Sequence, residues 1–147
     1  MIYVDTNVVV SYINGRDPLH GAAERLIAGL RGHGLVVSQL VVLELYAVYS
    51  RVMGLDDVEL EALVEYSLAK LGARVEQVDC SRLFTEAQRR AHALRLRALD
   101  LLHVVSARLL GAKGIATFDR DIAAKSKAIE GALGLKVYTY TQPSSES

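Results

Sequence analysis

The sequence predicts an α/β domain of three layers, α/β/α, with helices on both faces of a central parallel sheet of about five strands. Two observations carry this. Short β-branched runs alternate along the chain with longer stretches of helical periodicity. Residues that cap or stop helices sit at the joins between them. Strand–helix alternation implies crossover connections, and therefore parallel strands buried on both sides. Such sheets bind ligands at the carboxyl ends of their strands, near the switch in strand order.

The elements follow in order. Ile2–Asp5 reads as the first strand, and helices follow near Asn7–Ile13 and Leu19–Arg31. Leu35–Ser38 is the second strand, with Ser38 a candidate N-cap for the helix Leu40–Met53. Gly54 stops that helix, and Asp56 and Asp57 suit the first turn of the next, Asp57–Lys70, which Gly72 ends. Arg74–Val78 is a strand, and Ser81 is the candidate cap of Ser81–His92. The helix Leu99–Leu110 stops at Gly111. The strand Gly114–Thr117, the helix Arg120–Ile129 and the strand Leu135–Tyr138 complete the series. One domain over residues 1–141 is expected, with 142–147 a disordered tail.

Composition excludes several classes. The chain has 147 residues, half of them hydrophobic and 23% charged, which suits one globular domain with a full core. The formal net charge is zero, so no global field attracts nucleic acid or an anionic membrane. A polyanionic substrate then needs a local patch or bound cations. Cys80 is the only cysteine, so no internal disulfide forms, which suits a reducing compartment. The N-terminal apolar run is broken by Asp5 and Asn7 and is not a signal peptide. The apolar stretch from Leu35 to Tyr49 contains Ser38, Gln39 and Glu44 and is too polar to span a bilayer. A cytoplasmic protein without membrane contact is expected.

Four acids stand inside or at the tips of apolar segments. Asp5 ends Met-Ile-Tyr-Val, Glu44 interrupts Val-Val-Leu-Glu-Leu, Asp100 interrupts Ala-Leu-Asp-Leu-Leu-His-Val-Val, and Asp119 follows Gly-Ile-Ala-Thr-Phe. An isolated buried carboxylate is costly, so it neutralises, pairs with a base or holds a metal. Asp5 and Asp119 fall at the ends of the first and fourth predicted strands. Glu44 and Asp100 fall early on helices that begin at the same sheet edge, and Asp100 shares its face with His103, Val104 and Ala107. Clustered carboxylates raise one another's pKa unless a cation intervenes. Zinc spacing is missing: Cys80 is alone and no His-x-x-x-His occurs. Hard Mg²⁺ or Mn²⁺ suits an all-oxygen set and brings phosphoryl chemistry with it.

The segments VDTNVVVSYI at the N-terminus, SQLVVLELYAV near position 40, ALDLLHVVSARLLG near 100 and GIATFDRD near 119 resemble the PIN-domain ribonucleases. The likeness is to the small single-domain toxins of VapBC-type toxin–antitoxin modules, and it covers nearly the whole chain in order and spacing. The resemblance implies that Asp5, Glu44, Asp100 and Asp119 are the catalytic, metal-binding acids, with Asp121 a further ligand candidate. It implies that Thr6, Asn7 and Thr117 orient carboxylates or waters. It also implies endoribonucleolysis by an activated water with Mg²⁺ or Mn²⁺, and an antitoxin partner. One departure is Arg-Asp-Ile after Asp119, where many relatives carry an aromatic. A catalytically silent PIN-like module, binding only RNA or protein, would be marked by a missing acid, and none is missing. A haloacid-dehalogenase-like phosphatase wants a second Asp at position 7, which is Asn.

Simpler readings compete residue by residue. Asp5, Asp119 and Asp121 stand where helices begin and suit caps. Asp100 suits the N-terminal dipole of its own helix. His103 reads as a core histidine rather than a base. Arg89, Arg90, Arg95 and Arg97 form a basic run that is either a phosphate-binding patch for RNA or a solvated face. Arg16 and Arg120 are candidates to join it. Tyr46, Tyr49, Leu26, Leu30 and Leu63 read as more apolar helix surface than a small sheet covers, which implies a homodimer and a groove for a partner helix.

Overall fold

The computed structural model describes residues 1–52 and 54–140, so the end of the expected Leu40–Met53 helix and the expected tail at 142–147 lie outside the described residues. The strands are β1 (Ile2–Val4), β2 (Leu35–Ser38), β3 (Ala73–Glu76), β4 (Gly114–Ala116) and β5 (Lys136–Tyr138). The helices are α1 (Thr6–Ile13), α2 (His20–Leu30), α3 (Gln39–Val52), α4 (Asp57–Leu71), α5 (Cys80–Leu94), α6 (Ala98–Leu109), α7 (Arg120–Ala124) and α8 (Ser126–Leu133). A single 3₁₀ turn over Arg31–His33 links α2 to β2.

All five strands pair in parallel, in the order β3-β2-β1-β4-β5. The chain steps outward from β1 to β2 and β3, then returns past β1 to β4 and β5. Right-handed crossovers on both legs place α1–α4 against one face and α5–α8 against the other. The helix contacts agree: α1 packs on α2, α3 and α4, whereas α5 and α6 pack on each other and on α8. The result is the three-layer α/β/α arrangement expected. The reversal in strand order falls between β1 and β4, which opens a crevice beyond their carboxyl ends.

The central strands are apolar and fully covered, with Ile2, Tyr3, Val4, Val36, Val37, Ile115 and Ala116 all buried. Edge strand β3 is half solvated, and Val75 is exposed on it. Gly114 is required where β4 meets β5, because a Cβ there would lie 2.5 Å from the Tyr138 ring and 3.0 Å from the Lys136 carbonyl oxygen.

Helix ends depart from expectation in two places. The cap of α5 is Asp79, not Ser81: its carboxylate accepts the Arg82 N–H at 2.8 Å, and Ser81 lies inside the first turn. The expected helix Arg120–Ile129 is two helices. The Lys125 N–H turns back to the carbonyls of Asp121 and Ile122, closing α7 before α8 starts. Elsewhere the punctuation holds. Ser38 Oγ accepts the Leu40 N–H at 3.2 Å, Asp56 and Glu59 form a reciprocal capping box, and Gly72 closes α4 at φ 73°.

The expected surplus of apolar helix surface is partly wrong. Tyr49 and Leu30 are core residues, and the Tyr49 hydroxyl bonds Ser67 Oγ at 2.8 Å. Leu26, Tyr46 and Leu63 are half-buried against that core. Exposed apolar side chains occur instead at Leu43, Val52, Phe84 and Leu99, among others. An apolar groove of about 660 Å³ runs between α1, α3 and α4, lined by Val10, Ile13, Val48, Tyr49, Val52 and Leu63. Among the described residues, no helix is long and apolar enough to cross a membrane.

Candidate metal centre

Asp5 is the first residue past β1 and the N-cap of α1. Its backbone N–H bonds the Ala116 carbonyl of β4 at 2.9 Å, which fixes its Cα at the mouth of the crevice. The residue is 5% exposed, with Oδ1 accepting the Thr6 N–H at 2.8 Å and Oδ2 accepting the Thr117 hydroxyl at 2.7 Å. Burial pushes the Asp5 carboxyl above its ordinary range, against the opposing pull of His103, Thr117 and Thr6.

Glu44 reaches the same crevice from α3, on the opposite helical layer from Asp100. Its Oε1 accepts the Thr6 hydroxyl at 2.9 Å and a hydrogen bond from His103 Nε2. Burial opposes its ionisation, but His103 and Thr6 outweigh that and hold Glu44 below the usual range.

Asp100 enters from the first turn of α6. Burial, then the charges of Asp119 and Asp5, raise its pKa to about 6. Asp119 follows β4 and caps α7, with Oδ1 accepting the N–H groups of Asp121 and Ile122 at 2.8 and 3.0 Å. The Asp119 N–H in turn donates to Thr117 Oγ1 at 3.0 Å, so one buried threonine holds both strand-end acids. Asn7 completes the frame by accepting the Phe118 N–H at 3.1 Å.

The four acids, with Thr6, Asn7 and His103, line one pocket of about 360 Å³. The capping and clustering readings are therefore compatible: Asp5 and Asp119 cap helices with part of each carboxylate and face the pocket as well. Asp121 is exposed and does not line the pocket, although it offers an oxygen to a group with Asp100 and Asp119. Its own place at the helix start is capped by Asp119 rather than by itself. Asp5, Glu44 and His103 form a second such group, with ligand atoms within 4.8 Å of one another in each. A donor set dominated by hard carboxylate oxygens, with Asp100 pushed up to about 6 by burial and then by the charges of Asp119 and Asp5, fits a divalent cation.

His103 is the buried histidine that the sequence predicts, and it is also part of the site. It is 2% exposed, yet its ring lies between Glu44 and Asp5, 3.6 Å from Asp5 Oδ1. The available signal was its i+3 spacing from Asp100, which puts both on one face of α6. Asp17 also reaches the pocket, and nothing in its sequence context pointed there.

None of the four arginines of the basic run lines the pocket. Arg89 pairs with Glu86 at 2.8 Å, and Arg90 donates to the Ala132 carbonyl of α8 at 3.1 Å. Arg95 closes α5 in the left-handed region at φ 51°, and Arg97 precedes α6. Arg16 lies along the apolar groove instead.

The family model of the PIN domain matches residues 2–128. A search of curated proteins returns no match. Among solved structures, the chain is similar to VapC20 of Mycobacterium tuberculosis, a toxin that cleaves the sarcin–ricin loop. That pair is 25% identical with a TM-score of 0.67, covering 84% of this chain and 94% of the other. It is also similar to VapBC2 from Rickettsia felis bound to a DNA fragment from their promoter (17% identity, TM-score 0.65, 96% and 100% covered). A further similar structure is VapBC-1 from nontypeable Haemophilus influenzae (18% identity, TM-score 0.67, 97% and 100% covered). The last two likenesses concern the fold.

Proposed function

Because the chain belongs to the PIN-domain family, we propose that it is a divalent-metal-dependent endoribonuclease, the toxin of a toxin–antitoxin pair, working in the cytoplasm. One observation carries the reading. Carboxylates from four separate elements, two at strand ends and two on helices of opposite layers, converge on one pocket at the switch in strand order. Packing alone does not require this, since each like-charged neighbour makes the others harder to ionise.

Asp5, Glu44, Asp100 and Asp119 would hold Mg²⁺ or Mn²⁺, with Asp121 at the rim. When bound, such an ion supplies a Lewis acid that acidifies water and offsets charge on a phosphodiester. The chain's own residues do the rest. Thr6 and Thr117 hold the carboxylates in place from behind, and the buried floor keeps the acids fixed as substrate arrives. Half-exposed Asp100 and Asp119 form the side of the pocket that RNA would meet, with Arg95 and Arg97 flanking the start of α6 as phosphate contacts. The apolar groove beside the pocket suits an amphipathic segment of an antitoxin, and exposed Phe84 suits pairing of two copies of the chain.

Asp5→Asn and Asp100→Asn are each expected to lower Mn²⁺-dependent cleavage of RNA at least a hundredfold while the circular dichroism spectrum stays unchanged. Cleavage at the wild-type rate in either variant would count against the assignment. Calorimetry with Mn²⁺ separates the enzyme from a silent binding module, which would take up no metal through these acids.

A further inference from the structure

We infer that His103 is a positioning residue for the metal centre, clamping Glu44 and Asp5 from the protein interior through a hydrogen-bonded chain anchored on Tyr3 and Ser38. The inference rests on the metal-centre reading above and goes further than it, since a histidine beneath the acids is no part of the four-carboxylate set.

The geometry is directional. His103 Nδ1 lies 2.8 Å from the Tyr3 hydroxyl, which lies 2.8 Å from Ser38 Oγ, and Ser38 Oγ is tied to the Leu40 backbone N–H. Tyr3, Ser38 and His103 are each at most 2% exposed, so no water competes for these bonds. With one ring nitrogen held in this way, the other is aimed at the carboxylates. Nε2 bonds Glu44 Oε1 and stands 3.6 Å from Asp5 Oδ1.

The consequence falls on Glu44. A glutamate on a helix has three rotatable bonds, and a half-exposed one points mostly into water. Here two donors, Thr6 Oγ1 and His103 Nε2, fall on the same oxygen, Oε1. Oε1 is thereby turned to the protein, and Oε2 is the oxygen left for the pocket. The anchors come from three parts of the fold: Tyr3 in β1, Ser38 ending β2 and His103 in α6. The relative position of Glu44 and Asp100, carried on opposite helical layers, thus becomes a property of the rigid sheet between them. Outer partners of this kind set metal affinity and activity by about ten- to a hundredfold.

The test uses the whole chain and Mn²⁺ as the probe. His103→Leu removes the donor at similar bulk, and His103→Gln returns an amide N–H near the position of Nε2. Calorimetry is expected to show a ten- to hundredfold weaker Kd for Mn²⁺ in His103→Leu, with most of the loss recovered in His103→Gln. RNA cleavage at saturating Mn²⁺ is expected to lose kcat with KM for RNA unchanged. Unaltered Mn²⁺ affinity in His103→Leu overturns the inference, as does a His103→Gln variant that folds yet recovers nothing. Nitrogen hyperfine coupling in the electron spin resonance of bound Mn²⁺ also overturns it, since His103 would then be a ligand itself. Tyr3→Phe, which deletes only the hydroxyl, supplies a second perturbation and is expected to weaken Mn²⁺ binding in the same direction. If the wild-type chain binds Mn²⁺ but cleaves no RNA, the nuclease reading fails and the calorimetry still decides His103. If it binds no Mn²⁺, both fail.

Discussion

Replacing Thr117 by Val tests whether the acid cluster is held by its own frame. Thr117 is fully buried, and its hydroxyl donates to Asp5 Oδ2 at 2.7 Å while accepting the Asp119 N–H at 3.0 Å. Valine fills the same space, so no cavity opens, and what is lost is the pair of bonds. A hydrogen bond to a charged group contributes about 1.5–3 kcal/mol, and an N–H left without its partner costs about 1–3 kcal/mol more. The added methyl returns about 0.8 kcal/mol of apolar burial. A net loss of about 3 kcal/mol follows, and for a chain of this length each kcal/mol moves Tm by about 3 °C. Thermal melts in chelator are therefore expected to show Thr117→Val about 10 °C below wild type. Thr117→Ser keeps the hydroxyl and loses a methyl, and is expected to fall by about 1 kcal/mol, or about 3 °C. Mn²⁺ affinity is expected to drop in the Val variant, because Asp5 then loses a donor that favours its ionised form. A Val variant within 1 kcal/mol of wild type, or a Ser variant that falls as far as Val, would refute the reasoning.

Metal affinity is expected to depend on pH through Asp100, whose folded-state pKa is raised from 3.8 to about 6 by burial and by Asp119 and Asp5. Protons then compete with the cation, so Mn²⁺ binding measured by calorimetry weakens as pH falls through 6. The metal-free fold has the opposite slope: its share of stability from protonated Asp100 is complete below 3.8 and is lost as pH rises through about 6. A Mn²⁺ affinity that stays flat between pH 5 and 7 would contradict this. Away from the site, Gly114→Ala presses a methyl against Tyr138 and the Lys136 carbonyl and is expected to lower stability by about 1–3 kcal/mol, read from denaturant midpoints. No change in midpoint would mean that the β4–β5 edge gives way freely.

Much of the fold was legible because local signals and tertiary placement agree. The runs Ile-Tyr-Val, Leu-Val-Val-Ser and Gly-Ile-Ala are strands that a parallel sheet buries on both sides, and β2 falls where the sequence placed it. Gly54, Gly72 and Gly111 carry the positive φ that a helix stop requires. The errors are local contests between neighbouring caps. Asp79 and Ser81 both suit the start of α5, and which one caps depends on where the chain leaves β3. The break at Lys125 has no Gly or Pro to mark it, since a short carbonyl turn made it.

The amino-acid sequence by itself determined the alternating α/β order and placed two acids at strand ends and two early on helices, because periodicity, caps and hydropathy act over a few residues. Only the tertiary structure decided that these acids share one pocket, that Thr117 ties Asp5 to Asp119, that His103 lies between Asp5 and Glu44, and that the basic run stands outside the pocket. The Thr117–Asp5 hydrogen bond alone joins positions 112 residues apart in the chain. Contacts of that kind follow from strand order and crossover handedness, which no local pattern encodes.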